Sequence, residues 1–81
     1  MSPTIFRYRG YRAFFFSREE TRRHVHVSSA DGDAKFWLEP LVSLADYSPG
    51  LSTAQLREML HIVEEHRDDI VAAWDEHFAG G

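Results

Sequence analysis

His24 and His26 are separated by one residue in a stretch where polar and apolar residues alternate. Glu39 lies at the end of the next such stretch. Imidazole and carboxylate groups can ligate zinc or exchange protons with a substrate. Alternate residues of a strand share one face, so both imidazoles are expected to point the same way. The pattern therefore raises three hypotheses: cross-strand packing on a sheet face, a binding surface, or a metal or acid–base site.

The strand pairing around these histidines is predicted from the Asp31-Gly32 pair, which is typical of a type I′ turn. Counting outward from this turn pairs His26 with Trp37 and His24 with Glu39. Alternation then sorts the hairpin into two faces. One face is apolar: Val25, Val27, Ala34, Phe36 and Leu38. The other carries Ser28 and the predicted binding face, which comprises Arg22, His24, His26, Lys35, Trp37 and Glu39.

A metal or acid–base site is the least favoured of the three hypotheses. A His-x-His pair alone is a weak signal, and the sequence has no HExxH motif, cysteine pair or dense acidic cluster to support it. We therefore predict no catalytic residue, metal ligand or cofactor. Cross-strand packing on a solvated or partly covered face is the first interpretation, and a surface for protein or nucleic acid is the second.

A first hairpin precedes this one, with strands predicted at Thr4–Arg9 and Tyr11–Ser17. Arg9 and Gly10 as central turn residues pair Tyr8 with Tyr11, Phe6 with Ala13, Ile5 with Phe14, and Arg7 with Arg12. The last pair sets two like charges opposite each other, so a slightly different turn is an alternative.

A long amphipathic helix is predicted over residues 53–78. Ser52 and Gln55 form a capping box, and Leu51 and Leu56 a hydrophobic staple. Apolar residues then recur at helical spacing, with a kink near Arg67-Asp68 or a projecting end as alternatives. The opposite side is an acidic helix face of Glu58, Glu65, Asp69 and Glu76.

Together these elements predict an α+β fold, with an antiparallel sheet of four or five strands (two β-hairpins) packed by one long C-terminal helix. We expect a single domain over residues 1–81, with a strand region at 4–39, a connection at 40–51 and the helix at 53–78. Residues 41–50 fit either a fifth strand or a turn-rich linker.

Composition and charge narrow the function classes. The chain has 81 residues, no cysteine and no apolar run long enough for a signal peptide or membrane span, so we expect a soluble cytoplasmic protein. Residues 1–35 carry seven basic and four acidic side chains, whereas residues 36–81 carry two basic and nine acidic ones. This polarity is typical of a basic face, an acidic face, or both.

Seven segments spread along nearly the whole chain carry a resemblance to a known family: Pro3–Arg7, Gly10–Arg12, Phe14–Ser17, His24–Val27, Ala34–Leu38, Ile62–Arg67 and Ala73-Trp74. In these segments the chain resembles the domain of unknown function 4160 family. Family members usually carry two prolines before the first histidine, where this chain has Arg22 and Arg23, so the strand start is less fixed and the patch more basic.

The resemblance implies no established chemistry. It implies a small bacterial protein of a toxin–antitoxin-like or other mobile-element gene pair, and small acidic phage-type inhibitors such as anti-CRISPR proteins are a neighbouring class. We therefore expect a non-enzymatic protein that binds a protein or nucleoprotein partner, with a dimer and nucleic-acid contact left open. Two alternatives remain: an inhibitor of a nucleic-acid-binding complex acting through the acidic helix face, and a toxin-like ribonuclease using His24 or His26 as general base.

Overall fold

The computed structural model describes residues 4–15 and 22–79, which form a five-stranded antiparallel sheet and two helices. The predicted α+β class is confirmed, and the ambiguous stretch before the helix contains a fifth strand. Each strand pairs with the next along the chain, in the order β1-β2-β3-β4-β5. The elements are β1 (Thr4–Tyr8), β2 (Tyr11–Phe14), β3 (His24–Ser29), β4 (Gly32–Trp37), β5 (Ser43–Tyr47), α1 (Thr53–Glu65) and α2 (Arg67–Ala79).

The first hairpin turns at Arg9 and Gly10, as predicted. Both residues have positive φ, 48° and 81°, which is the signature of a type I′ turn. The register also follows the prediction for Tyr8–Tyr11, Arg7–Arg12 and Phe6–Ala13. It then shifts by one residue, so Thr4 rather than Ile5 lies opposite Phe14. Residues 16 and 17 of the predicted second strand lie outside the described residues.

The second hairpin turns one residue earlier than predicted, and its register is shifted by two. Ser29 pairs with Gly32, so Ala30 and Asp31 are the central residues and neither has positive φ. His24 therefore lies opposite Trp37 instead of Glu39, and the partner of His26 is Lys35 instead of Trp37. A shift of two residues preserves the alternation, so the predicted division into two faces is correct.

Contacts from distant parts of the chain fix this turn. The Ser29 hydroxyl accepts from the Asp31 backbone N–H and donates to the Gly32 carbonyl. The Gln55 side-chain amide donates to the Asp31 carboxylate at 2.6 Å. Gly32 has a φ of 149° and lies so close to Ser48 that an added Cβ would stand 2.7 Å from the Ser48 Cβ. The glycine is therefore required after the turn and not within it.

The helical region begins as predicted, but the single helix over 53–78 is wrong. The Ser52 hydroxyl accepts from the Gln55 N–H, and the Gln55 side chain accepts from the Ser52 N–H, which completes the capping box. His66, with φ −107° and ψ 13°, then separates α1 from α2. This interruption lies next to the position considered for a kink.

The break suits the size of the sheet. A straight helix of about 26 residues would measure about 39 Å, whereas strands of five or six residues span roughly 20 Å. Two shorter helices both bury apolar side chains: Met59 and Val63 from α1, and Ile70 and Trp74 from α2. Arg67 stabilises the junction, because its Nε donates to the Leu38 carbonyl at the end of the sheet.

The core lies between the helices and one face of the sheet, here called the inner face. All five predicted apolar hairpin residues belong to it, and each is at most 2% exposed: Val25, Val27, Ala34, Phe36 and Leu38. The opposite side of the sheet is the outer face. None of the helices in the described ranges is long and apolar enough to cross a membrane.

Candidate functional site

Trp37 occupies the outer face near the end of β4, and two cations contact its ring. The guanidinium carbon of Arg22 lies 4.1 Å from the ring centroid, and the Lys35 Nζ lies 4.5 Å from it. Each cation–π contact contributes about 0.5–1 kcal/mol at a partly exposed site. Arg22 is held in place because its Nε and one terminal nitrogen donate to the Glu39 carbonyl at 3.2 and 2.9 Å. The predicted binding face thus contains a cation–aromatic cluster.

His24 is the member of the predicted binding face that the structure buries. It is 0% exposed, on a face that the sequence predicts to be solvated or partly covered. Its ring lies 5.6 Å from that of Trp37 and 5.0 Å from that of Trp74, which reaches it from α2. Its Nδ1 lies 2.8 Å from the Arg22 carbonyl, and because a carbonyl only accepts, Nδ1 carries hydrogen. His24 therefore connects the sheet to α2.

His26 lies on the same face but is half-buried. It stacks on Phe14 of β2 with ring centroids 5.4 Å apart, and it stands opposite Lys35 on β4. Its ring centroid lies 5.2 Å from that of His24. A cavity of about 230 Å³ opens beside His26 and Lys35, with Asp33 and Asp46 on its border. Of the two histidines, His26 is the one that a bound molecule can reach.

Glu39 is not a neighbour of the histidine rings. Its carboxylate accepts from the Arg23 guanidinium at 3.1 Å and from the Arg23 backbone N–H. The same guanidinium lies 2.6 Å from the carboxylate of Asp75 on α2. These hydrogen bonds, first to Asp75 and then to Glu39, raise the pKa of Arg23 above its ordinary value. The Glu39 carboxylate therefore belongs to a link between the sheet and α2.

Sequence reasoning missed Arg12, Phe14 and Arg23 as members or neighbours of this surface. Phe14 and Arg12 lie on the outer face because they pair with His26 and Ser28. Extending the alternation of β3 to the preceding strand would have found both. The contact between Arg23 and Asp75 spans 52 positions, so no local pattern indicates it.

The acidic helix face is divided by the break at His66. Glu58 and Glu65 lie on α1, whereas Asp69 and Glu76 lie on α2, and all four are exposed. Glu65 lies 2.9 Å from His61. Glu58 accepts a hydrogen bond from Tyr11, and this bond together with burial raises the pKa of Tyr11 from 10.0 to about 12. Glu58 therefore also holds α1 against the sheet.

The outer face offers groups that are suited to binding. A general base must reach the proton it removes, and the burial of His24 prevents this. Within residues 4–15 and 22–79, no group of three or more histidine, aspartate or glutamate side chains is arranged to hold a metal ion. Aromatic rings covered by arginine and lysine, by contrast, are typical of surfaces that anchor partners or nucleic acids.

The fold and this face together define a small α+β protein with a helix-backed sheet and a cation–aromatic outer surface. The chain belongs to the family described as Domain of unknown function (DUF4160), whose model matches residues 10–75. The matched range includes β2, β3, β4 and β5. Strand β1 and the turn residue Arg9 lie before it. Neither the curated proteins nor the solved structures gave a match to the chain.

Proposed function

We propose that this protein is a small non-enzymatic interaction protein that binds a protein or nucleoprotein partner through the outer face of its sheet. The observation that carries the proposal is the cluster of Arg22, Trp37 and Lys35 on the outer face of the sheet. Tryptophan and arginine are the residue types most enriched among those that dominate binding energy at interfaces. The family resemblance extends the proposal to a cytoplasmic protein of a toxin–antitoxin-like or mobile-element gene pair.

A charge-reversal experiment tests the proposal. The tagged chain would be expressed in cells of its own source, cross-linked, purified and compared by quantitative mass spectrometry with the double variant R22E/K35E. We expect the wild type to recover a specific partner and the variant to lose it, because both cations on Trp37 change sign. The matched control is R57E, which reverses an exposed charge on α1. Equal recovery by R22E/K35E would contradict the proposal.

The ribonuclease alternative now depends on His26, because His24 is buried. It predicts that expression of the chain arrests growth and that H26A relieves the arrest. The interaction proposal predicts instead that H26A changes partner recovery and does not relieve a growth arrest. Undegraded RNA in cells that express the wild-type chain would exclude it.

The inhibitor alternative depends on the exposed carboxylates Glu58, Glu65, Asp69 and Glu76. It predicts that reversing the latter three charges abolishes inhibition of a DNA-binding complex. Glu58 is left unchanged in that test because it also accepts the Tyr11 hydrogen bond.

A further inference from the structure

Three arginines of the first hairpin have no carboxylate partner among the described residues. Arg7 and Arg12 lie directly opposite each other on the outer face, and Arg9 occupies the turn. Among residues 4–15 and 22–79, the ion pairs of arginine involve Arg23 and Arg67 and none of these three. Like charges directly opposite each other destabilise a sheet. The fold thus maintains an unfavourable pair that a bound anion would neutralise.

Arg12 is the most constrained of the three. Its guanidinium carbon lies 4.4 Å from the centroid of the Phe14 ring, so the group is held against an aromatic surface. Its Nε is buried, and no acceptor in the described part of the chain forms a hydrogen bond with it. An unsatisfied buried donor on a charged group costs free energy until an acceptor reaches it or its neighbouring nitrogens. Ser28, opposite Arg12 on β3, adds a hydroxyl beside it.

We propose that Arg7, Arg9 and Arg12 form a binding site for the phosphate backbone of a single-stranded nucleic acid. The guanidinium fork matches phosphate oxygens in a bidentate manner. This inference deepens the proposed function and rests on it in one respect, since Arg7 and Arg12 lie on the same outer face. The first hairpin would then contact the nucleic-acid component of a nucleoprotein partner.

The arrangement favours nucleic acid over an acidic protein segment because an exposed aromatic ring accompanies the cations at the turn. Arg9 lies over Tyr8 at 5.4 Å, and Tyr8 is 41% exposed. Tyr8 pairs with Tyr11 and therefore lies on the side of β1 opposite to Arg7, so a single strand would reach it by passing around the turn. Phe14, which is 4% exposed, holds the Arg12 guanidinium in place and offers no stacking surface of its own. Bases of single strands stack on aromatic rings and on the planes of arginine guanidinium groups. Asp33 and Asp46 lie on the β4 and β5 side of the outer face, which confines the site to the first hairpin and Ser28.

Fluorescence anisotropy with labelled oligouridine and oligothymidine of about 20 nucleotides tests the site. We expect the full chain to bind one or both, which distinguishes RNA from DNA. The variant R7Q/R12Q should lose about tenfold or more in affinity at low salt. Its slope of log affinity against log salt should fall by about 1.4, since each contact to a single-stranded phosphate contributes roughly 0.7.

Two further variants separate a lost site from a lost fold. R7Q/R9Q changes only exposed side chains and should also weaken binding, whereas R57Q on α1 removes one exposed charge and should bind as the wild type does. The circular dichroism spectrum and the melting temperature of each variant should show that it is folded.

Four results would overturn the site: no oligonucleotide binding by the wild type, unchanged binding by R7Q/R12Q, equal losses in R57Q, or polyglutamate binding with the same arginine dependence. The last result would indicate an acidic protein partner instead. Partner recovery in the R22E/K35E experiment depends on different residues. The proposed function can therefore stand when the phosphate site fails, and the two failures are distinguishable.

Discussion

The two hairpins of this protein differ in what fixes their turns. The first turns at Arg9 and Gly10 with positive φ at both residues, and an added Cβ at Gly10 would meet nothing within 4 Å. The second turns at Ala30 and Asp31, while Gly32 packs against Ser48 and Asp31 accepts from Gln55. The first turn is determined by local backbone geometry, and the second by distant parts of the chain.

The hairpins also differ in their position in the sheet, in burial and in charge. Both strands of the second hairpin lie inside the sheet, and its inner face is buried beneath the helices. The first hairpin contains the edge strand β1, and its outer face carries Arg7 and Arg12, which form no ion pair within residues 4–15 and 22–79. The second hairpin therefore contributes most to stability. The first carries an arrangement that costs stability, which is typical of a functional surface.

The largest expected effect is a truncation in the second hairpin. Phe36 is 0% exposed, so F36A should lower the free energy of unfolding by about 3–5 kcal/mol. The corresponding change in the first hairpin, F6A, should cost less, because Phe6 is half-buried and packs on His66 with centroids 4.8 Å apart. Urea denaturation followed by circular dichroism measures both. A larger loss in F6A would reverse the comparison.

Next in size is the difference between the two turn glycines. G32A should cost about 2–4 kcal/mol, because the new Cβ meets Ser48 at 2.7 Å and the φ of 149° strains an L residue. G10A should cost about 1 kcal/mol, since its neighbourhood is open and only the positive φ opposes alanine. Melting temperatures of the two variants, measured side by side, check this order. Equal losses would mean that Ser48 moves aside freely.

Alternation explains how much of the fold the sequence predicts. The inner face of Val25, Val27 and Phe36 is correct despite a two-residue register error, because alternation depends only on parity. The capping box at Ser52 is correct because all its partners lie within four residues. The second turn was placed one residue too late, and the helix break was expected only as an alternative near Arg67-Asp68, because Ser48, Gln55 and the length of the sheet decide them.

The sequence predicts which residues belong to the candidate site better than it predicts the contacts between them. Trp37 and Lys35 share the outer face as expected, and Arg22 joins them. The burial of His24 depends on Trp74, which lies 50 positions away on a helix whose path the sequence does not determine. Burial by tertiary contacts is therefore the part of the site that a one-dimensional pattern does not contain.

A third difference appears at high pH, because Tyr11 ties the first hairpin to α1 through Glu58. The raised pKa of about 12 means that the unfolded chain loses this proton above pH 10.0 while the folded chain keeps it. The stability contributed by this group is thus fully present below pH 10.0 and is lost as the pH rises toward 12.

Denaturation at a series of pH values checks this expectation. Y11F should remove this part of the alkaline loss, and E58Q should shift it to lower pH by lowering the pKa of Tyr11. The variant Q55A is the counterpart in the second hairpin, because it removes the tie to Asp31 without changing a group that titrates in this range. An alkaline profile of Y11F identical to that of the wild type would contradict the assignment.

The smallest expected effect has the opposite sign. R7Q removes one of two like charges that face each other across the first hairpin and changes an exposed side chain, so it should raise the free energy of unfolding by about 0.2–1 kcal/mol. The gain should shrink as salt screens the repulsion.

Added oligouridine should raise the melting temperature of the wild type but not that of R7Q/R12Q, since a ligand stabilises only the fold that binds it. A variant that is more stable yet binds nucleic acid less tightly would show that the arginine pair is kept for binding, whereas a less stable R7Q would mean that Arg7 supports the hairpin.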